Sequence, residues 1–462
     1  MRIAFHGAAR NVTGSCHLLE CRNKRILIDC GLYQGNREMD EENRHDFGFD
    51  PASIDYLLLT HGHLDHCGRI PLLSRLGFKG TILTTAATRE LARLVLLDSA
   101  RLQEEEARYR NYKASKRRDR GEAVEPLYDT LDALNSLNAF ADIASFAQPH
   151  ELCPGIRATF HDAGHILGSA CILVEMEEGG RQHRVLFSGD LGCEGRAILP
   201  DPARPPHADT VVMESTYGDR LHKSLKPSIE EFYLAINTTV ARGGNVLVPS
   251  FALERTQELL YYLREGLEQG RLPNHLQVYL DSPMAISATQ VFRRHRECFD
   301  AETWAVVASG RDPFDFPGLN IVRDVSESMT LKQMRGAVII AGSGMCTGGR
   351  IRHHLRHNLW RREASVVFVG YAAEGTLARQ IIEGAEVVRV LHEEVEVNAE
   401  IHTIGGFSAH ADQRELLDWH ALTGNPERTF LVHGEEAAMQ ALADQLTGVT
   451  VAMPRLHESF VL

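Results

Sequence analysis

The run Thr60-His61-Gly62-His63-Leu64-Asp65-His66 constrains this chain more than any other. It directly follows Ile54-Asp55-Tyr56-Leu57-Leu58-Leu59, an apolar stretch that reads as a strand. In extended backbone, residues two apart point the same way, so His61 and His63 can converge on one metal ion. The turn that follows sends Asp65 and His66 toward a second. Imidazole nitrogen and carboxylate oxygen are the donors zinc uses where a position stays open for water. A single histidine on an apolar strand is usually a packed one; four ligand-type side chains within six residues are not explained by packing.

One run cannot complete two metal sites, so further ligands are expected elsewhere. Phe160-His161-Asp162-Ala163-Gly164-His165-Ile166-Leu167-Gly168 puts His165 in a glycine-flanked turn. Arg184-Val185-Leu186-Phe187-Ser188-Gly189-Asp190 puts Asp190 just past a strand, and Lys24-Arg25-Ile26-Leu27-Ile28-Asp29 puts Asp29 at another strand end. A strand followed by Asp or His and then Gly is how a sheet presents side chains at one rim.

The chain is 462 residues long, with 44% apolar and 24% charged residues, enough for a large core and more than one domain. No apolar run is long enough to span a membrane. Met1-Arg2-Ile3-Ala4-Phe5-His6 begins as a strand and reads as having no signal-peptide core. Nine scattered cysteines without a Cys-x-x-Cys pair argue against a disulfide framework or a thiolate zinc site and suit a reducing cytoplasm. Cys30, Cys67 and Cys171 read as small apolar fillers. A net charge of −13 excludes an unspecific nucleic-acid coater but not an enzyme with local basic patches. Two such patches exist, Arg108 to Arg118 and Arg350 to Arg362. The first falls in a polar insertion near 101–130, read as a flap between helical patterns. His353, His354 and His357 in the second read as a solvated or RNA-facing surface.

Residues 1–208 read as short strands and helices, with helices over 86–107 and 129–146. Pro200, Pro202, Pro205 and Pro206 mark a break. Strands and helices alternate over 209–397, which implies βαβ units and a parallel sheet. After about 398 the strand-and-rim pattern returns, in Ile404 to Asp412 and in Thr429-Phe430-Leu431-Val432-His433-Gly434. The central part is therefore an insertion, with 398–462 returning to complete the first domain.

With its early Asp29, its His-x-His-x-Asp-His run, His165 and Asp190, the chain resembles the metallo-β-lactamase superfamily. The insertion looks like the β-CASP domain of its nucleic-acid-processing members. Glu214-Ser215-Thr216-Tyr217-Gly218-Asp219, Gly406-Phe407-Ser408-Ala409-His410-Ala411-Asp412 and Leu431-Val432-His433-Gly434 match that family's accessory motifs. Pro249 to Glu258, Asp281-Ser282-Pro283-Met284-Ala285 and Gly342 to Arg350 are further hallmarks. The compact bacterial type is the nearest in plan, similar to the core of the eukaryotic pre-mRNA 3′-end cleavage endonuclease.

The resemblance implies an αββα sandwich with an inserted parallel α/β domain and an RNA path in a cleft between them. It implies that His61, His63 and His165 hold one metal and that Asp65, His66 and His433 hold the other. Asp190 bridges the two, and Asp29 orients the site from behind. His410, supported by Glu214, protonates the leaving oxygen. The branch acting on RNA carries His at the position of His433, and the DNA-repair branch commonly carries Val. The implied activity is a ribonuclease on single-stranded RNA, with two Zn²⁺ or alternatively Mn²⁺. Two divalent cations against Asp65 and Asp190 leave the site net positive, which suits an anionic diester. Ser343, Gly344 and Met345 lie in a glycine-rich strand-to-helix turn suited to a phosphate, and Arg255 and Arg350 are candidate phosphate contacts. A homo-oligomer is compatible with the chain. The rivals are a thioesterase or lactonase type of hydrolase, a DNA nuclease and a non-catalytic RNA scaffold.

Overall fold

A computed structural model describes residues 1–35, 37–116, 123–370, 372–373 and 375–462. Contacts divide the chain into two compact units: 1–194 with 201–221 and 410–462, and 195–200 with 222–409.

The first unit holds two seven-stranded sheets. One runs, in spatial order, Ser459–Val461, Arg2–Phe5, His17–Cys21, Lys24–Ile28, Tyr56–Leu58, Thr81–Thr85 and Asp142–Ala144. The other runs Thr450–Ala452, Arg428–Val432, Thr210–Glu214, Arg181–Phe187, Ala170–Glu178, Ile156–Asp162 and Pro149–Cys153. They share one core, in which Phe5, Leu19, Ile28 and Leu58 meet Phe160, Ile172, Phe187 and Phe430. Alternation sets the faces. On Ala170–Glu178, Ile172, Val174 and Met176 enter that core. Cys171 and Leu173 turn outward, beneath Leu416, Trp419, Met439 and Leu442 of the covering helices Gln413–Ala421 and Glu436–Ala443. Leu91, Val95 and Leu96 of the helix Ala86–Lys116 are buried as well. The expected αββα layering follows.

The second unit carries a six-stranded sheet whose strand pairs are all parallel, in the order Leu319–Ile321, Gln277–Leu280, Ala337–Ala341, Val246–Pro249, Ser365–Phe368 and Glu400–Thr403. The central strands Ala337–Ala341, Val246–Pro249 and Ser365–Phe368 are buried along their whole length, as a parallel sheet covered on both faces requires, whereas the outer ones carry polar, partly exposed residues.

Three expectations change. The expected insertion spans 209–397, yet Thr210–Glu214 pairs in parallel with Arg181–Phe187 and Arg428–Val432 and belongs to the first unit. Glu400–Thr403 pairs with Ser365–Phe368 and belongs to the second. The prolines near 200–206 mark a loop, and apolar strands join whichever sheet buries both their faces. Secondly, 101–116 is not a flap. The helix from Ala86 continues to Lys116, free of Gly and Pro and tied by Arg101–Glu105 and Glu106–Arg110 pairs four residues apart. Arg117 and Arg118 of the basic run lie outside the described residues. Thirdly, the helix expected over 129–146 ends at Ser136, and Asp142–Ala144 is an edge strand. Among the described residues, no helix is long and apolar enough to cross a membrane.

Candidate metal centre

Parallel strands deliver their C-terminal ends to one rim. Asp29 follows Lys24–Ile28, His61 follows Tyr56–Leu58, Asp190 follows Arg181–Phe187, and His433 follows Arg428–Val432. Asp29 at φ 61° and His433 at φ 51° lie in the left-handed region, where non-glycine residues are uncommon and functional sites concentrate.

His61 Nε2 stands 3.1 Å from His63 Nδ1, which stands 3.2 Å from His165 Nε2. Asp190 Oδ2 is 3.4 Å from His61 Nε2 and 3.6 Å from His165 Nε2. On the other side His66 Nε2 is 3.2 Å from His433 Nε2, and His433 Nε2 is 3.4 Å from Asp65 Oδ2. Asp190 Oδ1 is 3.2 Å from His66 Nε2 and 3.7 Å from His433 Nε2. Donors about 2.0–2.1 Å from a tetrahedral ion are about 3.3–3.4 Å from each other. The separations of 3.1–3.7 Å within both groups bracket that edge length. Asp190 gives one oxygen to each, and both oxygens are buried without accepting a hydrogen bond among the described residues. Buried carboxylate oxygens without a hydrogen bond, facing imidazole nitrogens, fit a metal ion.

The outer nitrogens fix the tautomers. A carboxylate can only accept, so His66 Nδ1 donates to Asp29 Oδ2 at 2.7 Å. Thr60 Oγ1 donates to Asp29 at 2.8 Å and, 3.1 Å from His61 Nδ1, can accept from it. The Thr216 hydroxyl donates to the His433 carbonyl and faces His433 Nδ1, both at 3.1 Å. Each bond turns an Nε2 lone pair inward. Sequence reasoning missed Thr60 and Thr216, although both sit inside the quoted motifs; Thr60 adjoins His61 and Thr216 lies two residues past Glu214.

Burial drives His61 well below its usual value and His63 to about 4, so both imidazoles are neutral. Burial opposes ionisation of Asp65, but the His433 bond and the charges of His66 and His433 outweigh it and hold it at about 2. Burial also opposes charge on His66, but Asp190 and Asp29 raise it, so a metal there displaces a proton.

Beside this cluster His410 Nδ1 lies 3.3 Å from both oxygens of Glu214 and 4.0 Å from Asp190 Oδ2. Glu214 is fully buried and also accepts the Leu191 N–H at 2.6 Å. Nδ1 therefore donates to Glu214. Burial disfavours charge on His410, but Glu214, Asp190 and Asp65 raise it to about 9.

The expected phosphate contacts lie in the second unit. Ser343, Gly344 and Met345 are half-buried in the turn, where the Ser343 hydroxyl accepts the Gly348 N–H at 3.2 Å. Arg255 and Arg350 do not stand free for a phosphate. Arg255 is buried against Glu258 and the Phe407 ring. Arg350 is bound to Asp281 at 2.6 Å and to the Arg323 carbonyl at 2.7 Å. His354, expected on the surface, is buried and bonded to Asp281 at 2.6 Å, because its helix turns it toward the sheet. His353 remains exposed and His357 partly so.

Family profiles match three stretches: the metallo-β-lactamase superfamily over 9–139, the β-CASP domain over 256–381, and the Zn-dependent metallo-hydrolase RNA specificity domain over 394–454. The chain is 41% identical to Ribonuclease TTHA0252 of Thermus thermophilus, covering 99% of each. It is 31% identical to the transcription termination factor FttA of Methanosarcina mazei, over 96% of this chain and 69% of that protein. A solved structure from Enterococcus faecalis, of a protein of unknown function, superposes with a TM-score of 0.56 at 13% identity over 100% of this chain and 99% of that one, which speaks to the fold alone. The chain belongs to the β-CASP family of the metallo-β-lactamase superfamily.

Proposed function

We propose that this protein is a metal-dependent ribonuclease that hydrolyses phosphodiester bonds in single-stranded RNA. The observation that carries the reading is Asp190. Its two oxygens face two tetrahedral donor groups, and the His410–Glu214 pair adjoins it. A small-molecule hydrolase needs the donors but not that pair. The name of the Thermus relative supports RNA as the substrate.

Two Zn²⁺ suit the donor set: His61, His63 and His165 on one side, Asp65, His66 and His433 on the other, with Asp190 between. Mn²⁺ is the alternative. Metals bound there supply an activated water and charge relief on the phosphoryl oxygens. Asp65 and Asp190 keep the pair compensated, and Asp29 holds His66 in its ligating tautomer. His410, kept protonated by Glu214, gives its Nε2 proton to the departing ribose oxygen, a contribution of about 10²–10⁴-fold. The half-buried turn at Ser343, Gly344 and Met345 receives a backbone phosphate through its own N–H groups. Nine free cysteines suit a reducing cytoplasm.

The test is RNA labelled at one end and then at the other, incubated with metal-loaded protein beside Asp65→Ala. Internal fragments that depend on Asp65 establish an endonuclease, and stepwise shortening gives an exonuclease and its polarity. No Asp65-dependent cleavage overturns the reading.

A further inference from the structure

The helix Ala86–Lys116 changes character along its length. Its start packs beside the His165 loop, where the Thr85 and Thr88 hydroxyls both donate to the Gly168 carbonyl, at 2.7 and 2.8 Å. From Gln103 onward, the segment after residue 122 braces one face. Gln103 Oε1 accepts the Leu127 N–H at 3.0 Å, Glu104 Oε1 accepts the Thr130 N–H at 2.7 Å, and the Asn111 amide exchanges bonds with Val124 at 2.8 and 2.9 Å. Gln103, Ala107 and Asn111 recur every four residues, so they define that face.

The opposite face carries Tyr109, Tyr112, Lys113 and Lys116, spaced i, i+3, i+4, i+7 in a single stripe. Tyr109 is 47% exposed and Tyr112 56%. The Lys113 ammonium lies 4.4 Å from the Tyr109 ring centre, and that of Lys116 lies 4.6 Å from Tyr112. Among the described residues, Glu105 pairs with Arg101 and Glu106 with Arg110. Two flat rings and two cations are thus interleaved on a chain whose net charge is −13. A membrane-surface helix would segregate its lysines from its apolar face. Interleaved rings and ammonium groups instead match a ligand that alternates flat bases with phosphates.

We propose that this stripe is an auxiliary docking site for single-stranded RNA, a reading that rests on the ribonuclease assignment and extends it. Tyr109 lies 22 residues beyond Ala87, roughly 33 Å along the helix axis from the end that packs on the His165 loop. The stripe therefore holds RNA remote from the bond being cut. It raises the effective concentration of a long substrate at the metal centre and leaves a short one unaffected.

The test uses the full chain carrying Asp65→Ala, so that RNA is not consumed, with fluorescein-labelled uridylates of about 30 and about 6 nucleotides. Lys113→Gln with Lys116→Gln is expected to weaken binding of the long RNA about tenfold and to lower its salt slope by about 1.4. Tyr109→Ala with Tyr112→Ala is expected to weaken it about tenfold as well. Neither pair changes binding of the short RNA. With Asp65 intact, both pairs slow cleavage of the long RNA only. All four side chains are exposed, and unchanged helicity and melting temperature verify the fold. Equal weakening at both lengths, or no change at either, overturns the proposal. So does loss of binding to phosphatidylserine vesicles with RNA binding intact. Failure of the metal-loaded parent to cleave either RNA overturns the ribonuclease reading instead, and the binding comparison still decides the stripe.

Discussion

Two buried aspartates end apolar strands, one in each unit, and their surroundings are opposite. Asp281, after Gln277–Leu280, is closed by Arg350, His354 and Ser328, each at 2.6 Å. Asp190, after Arg181–Phe187, has imidazole nitrogens 3.2–3.7 Å away and no hydrogen bond to either oxygen among the described residues. The backbone setting is alike; the facing chemistry is not. A guanidinium is a permanent cation and completes the charge from within the chain. The imidazoles around Asp190 can give up their protons, and their lone pairs can then take a metal ion from outside. Position at a strand end does not make a metal site; facing groups that can yield their protons to a metal ion do.

The widest separation is expected from removing each carboxylate in turn. Asp190→Asn should reduce bound metal from about two equivalents to one or fewer and cut RNA cleavage by at least about 10³-fold. Metal analysis and initial rates check both. Asp281→Asn should leave the metal content unchanged. Equal metal loss in the two variants would break the comparison.

The next effect is catalytic. His410→Ala should lower the rate about 10²–10⁴-fold with metal content intact, as measured under saturating RNA. The acid must be protonated, so activity is present below the His410 pKa and is lost as pH rises through it. Glu214, Asp190 and Asp65 hold that pKa at about 9 against burial. Bound cations offset the pull of the two aspartates, so the alkaline limb of the loaded enzyme falls below that value. Glu214→Gln should move the limb further down. A limb that stays in place in the Gln variant removes His410 as the acid.

Asp281 then sharpens the stability side. Asp281→Ala leaves Arg350 and His354 without their carboxylate and should cost about 3 kcal/mol, read from denaturant unfolding. Burial alone would raise the Asp281 pKa, but His354, Ser328 and Arg350 lower it. A depressed carboxyl adds stability above its unfolded value of about 3.9 that is lost as pH falls through the folded value. Asp281→Asn should flatten this acid limb.

The contrast also separates what sequence can tell from what it cannot. His61, His63, Asp65, His66, Asp190 and His433 were legible because each sits next to an apolar strand in a short motif, and their convergence follows from parallel strands sharing a rim. His165 and His410 were legible as motif members. Arg255 and Arg350, read as candidate phosphate contacts, hold internal carboxylates, and His354, read as a surface group, is buried. Their burial depends on Glu258 and Asp281, partners whose approach is set by helix rotation and strand register. Arg350 and Asp281 are 69 residues apart, and no local pattern links them. The domain break failed similarly, because prolines report a loop and only pairing reports which sheet a strand joins.

The smallest effect tests the outer layer. Asp29 accepts from the Thr60 N–H and hydroxyl, both at 2.8 Å, from His66 Nδ1 at 2.7 Å and from the Ser15 hydroxyl at 3.4 Å. Its role is to keep the proton on His66 Nδ1, so that Nε2 presents a lone pair. Asparagine keeps the shape but can offer His66 an N–H, which favours the wrong tautomer. Asp29→Asn should therefore weaken metal affinity about 10–100-fold, read by competition with a chelator, and excess metal should restore the rate. A rate that stays low at saturating metal would place Asp29 in the chemistry itself. Its contrast with Asp190 would then be one of distance from the substrate and not of role.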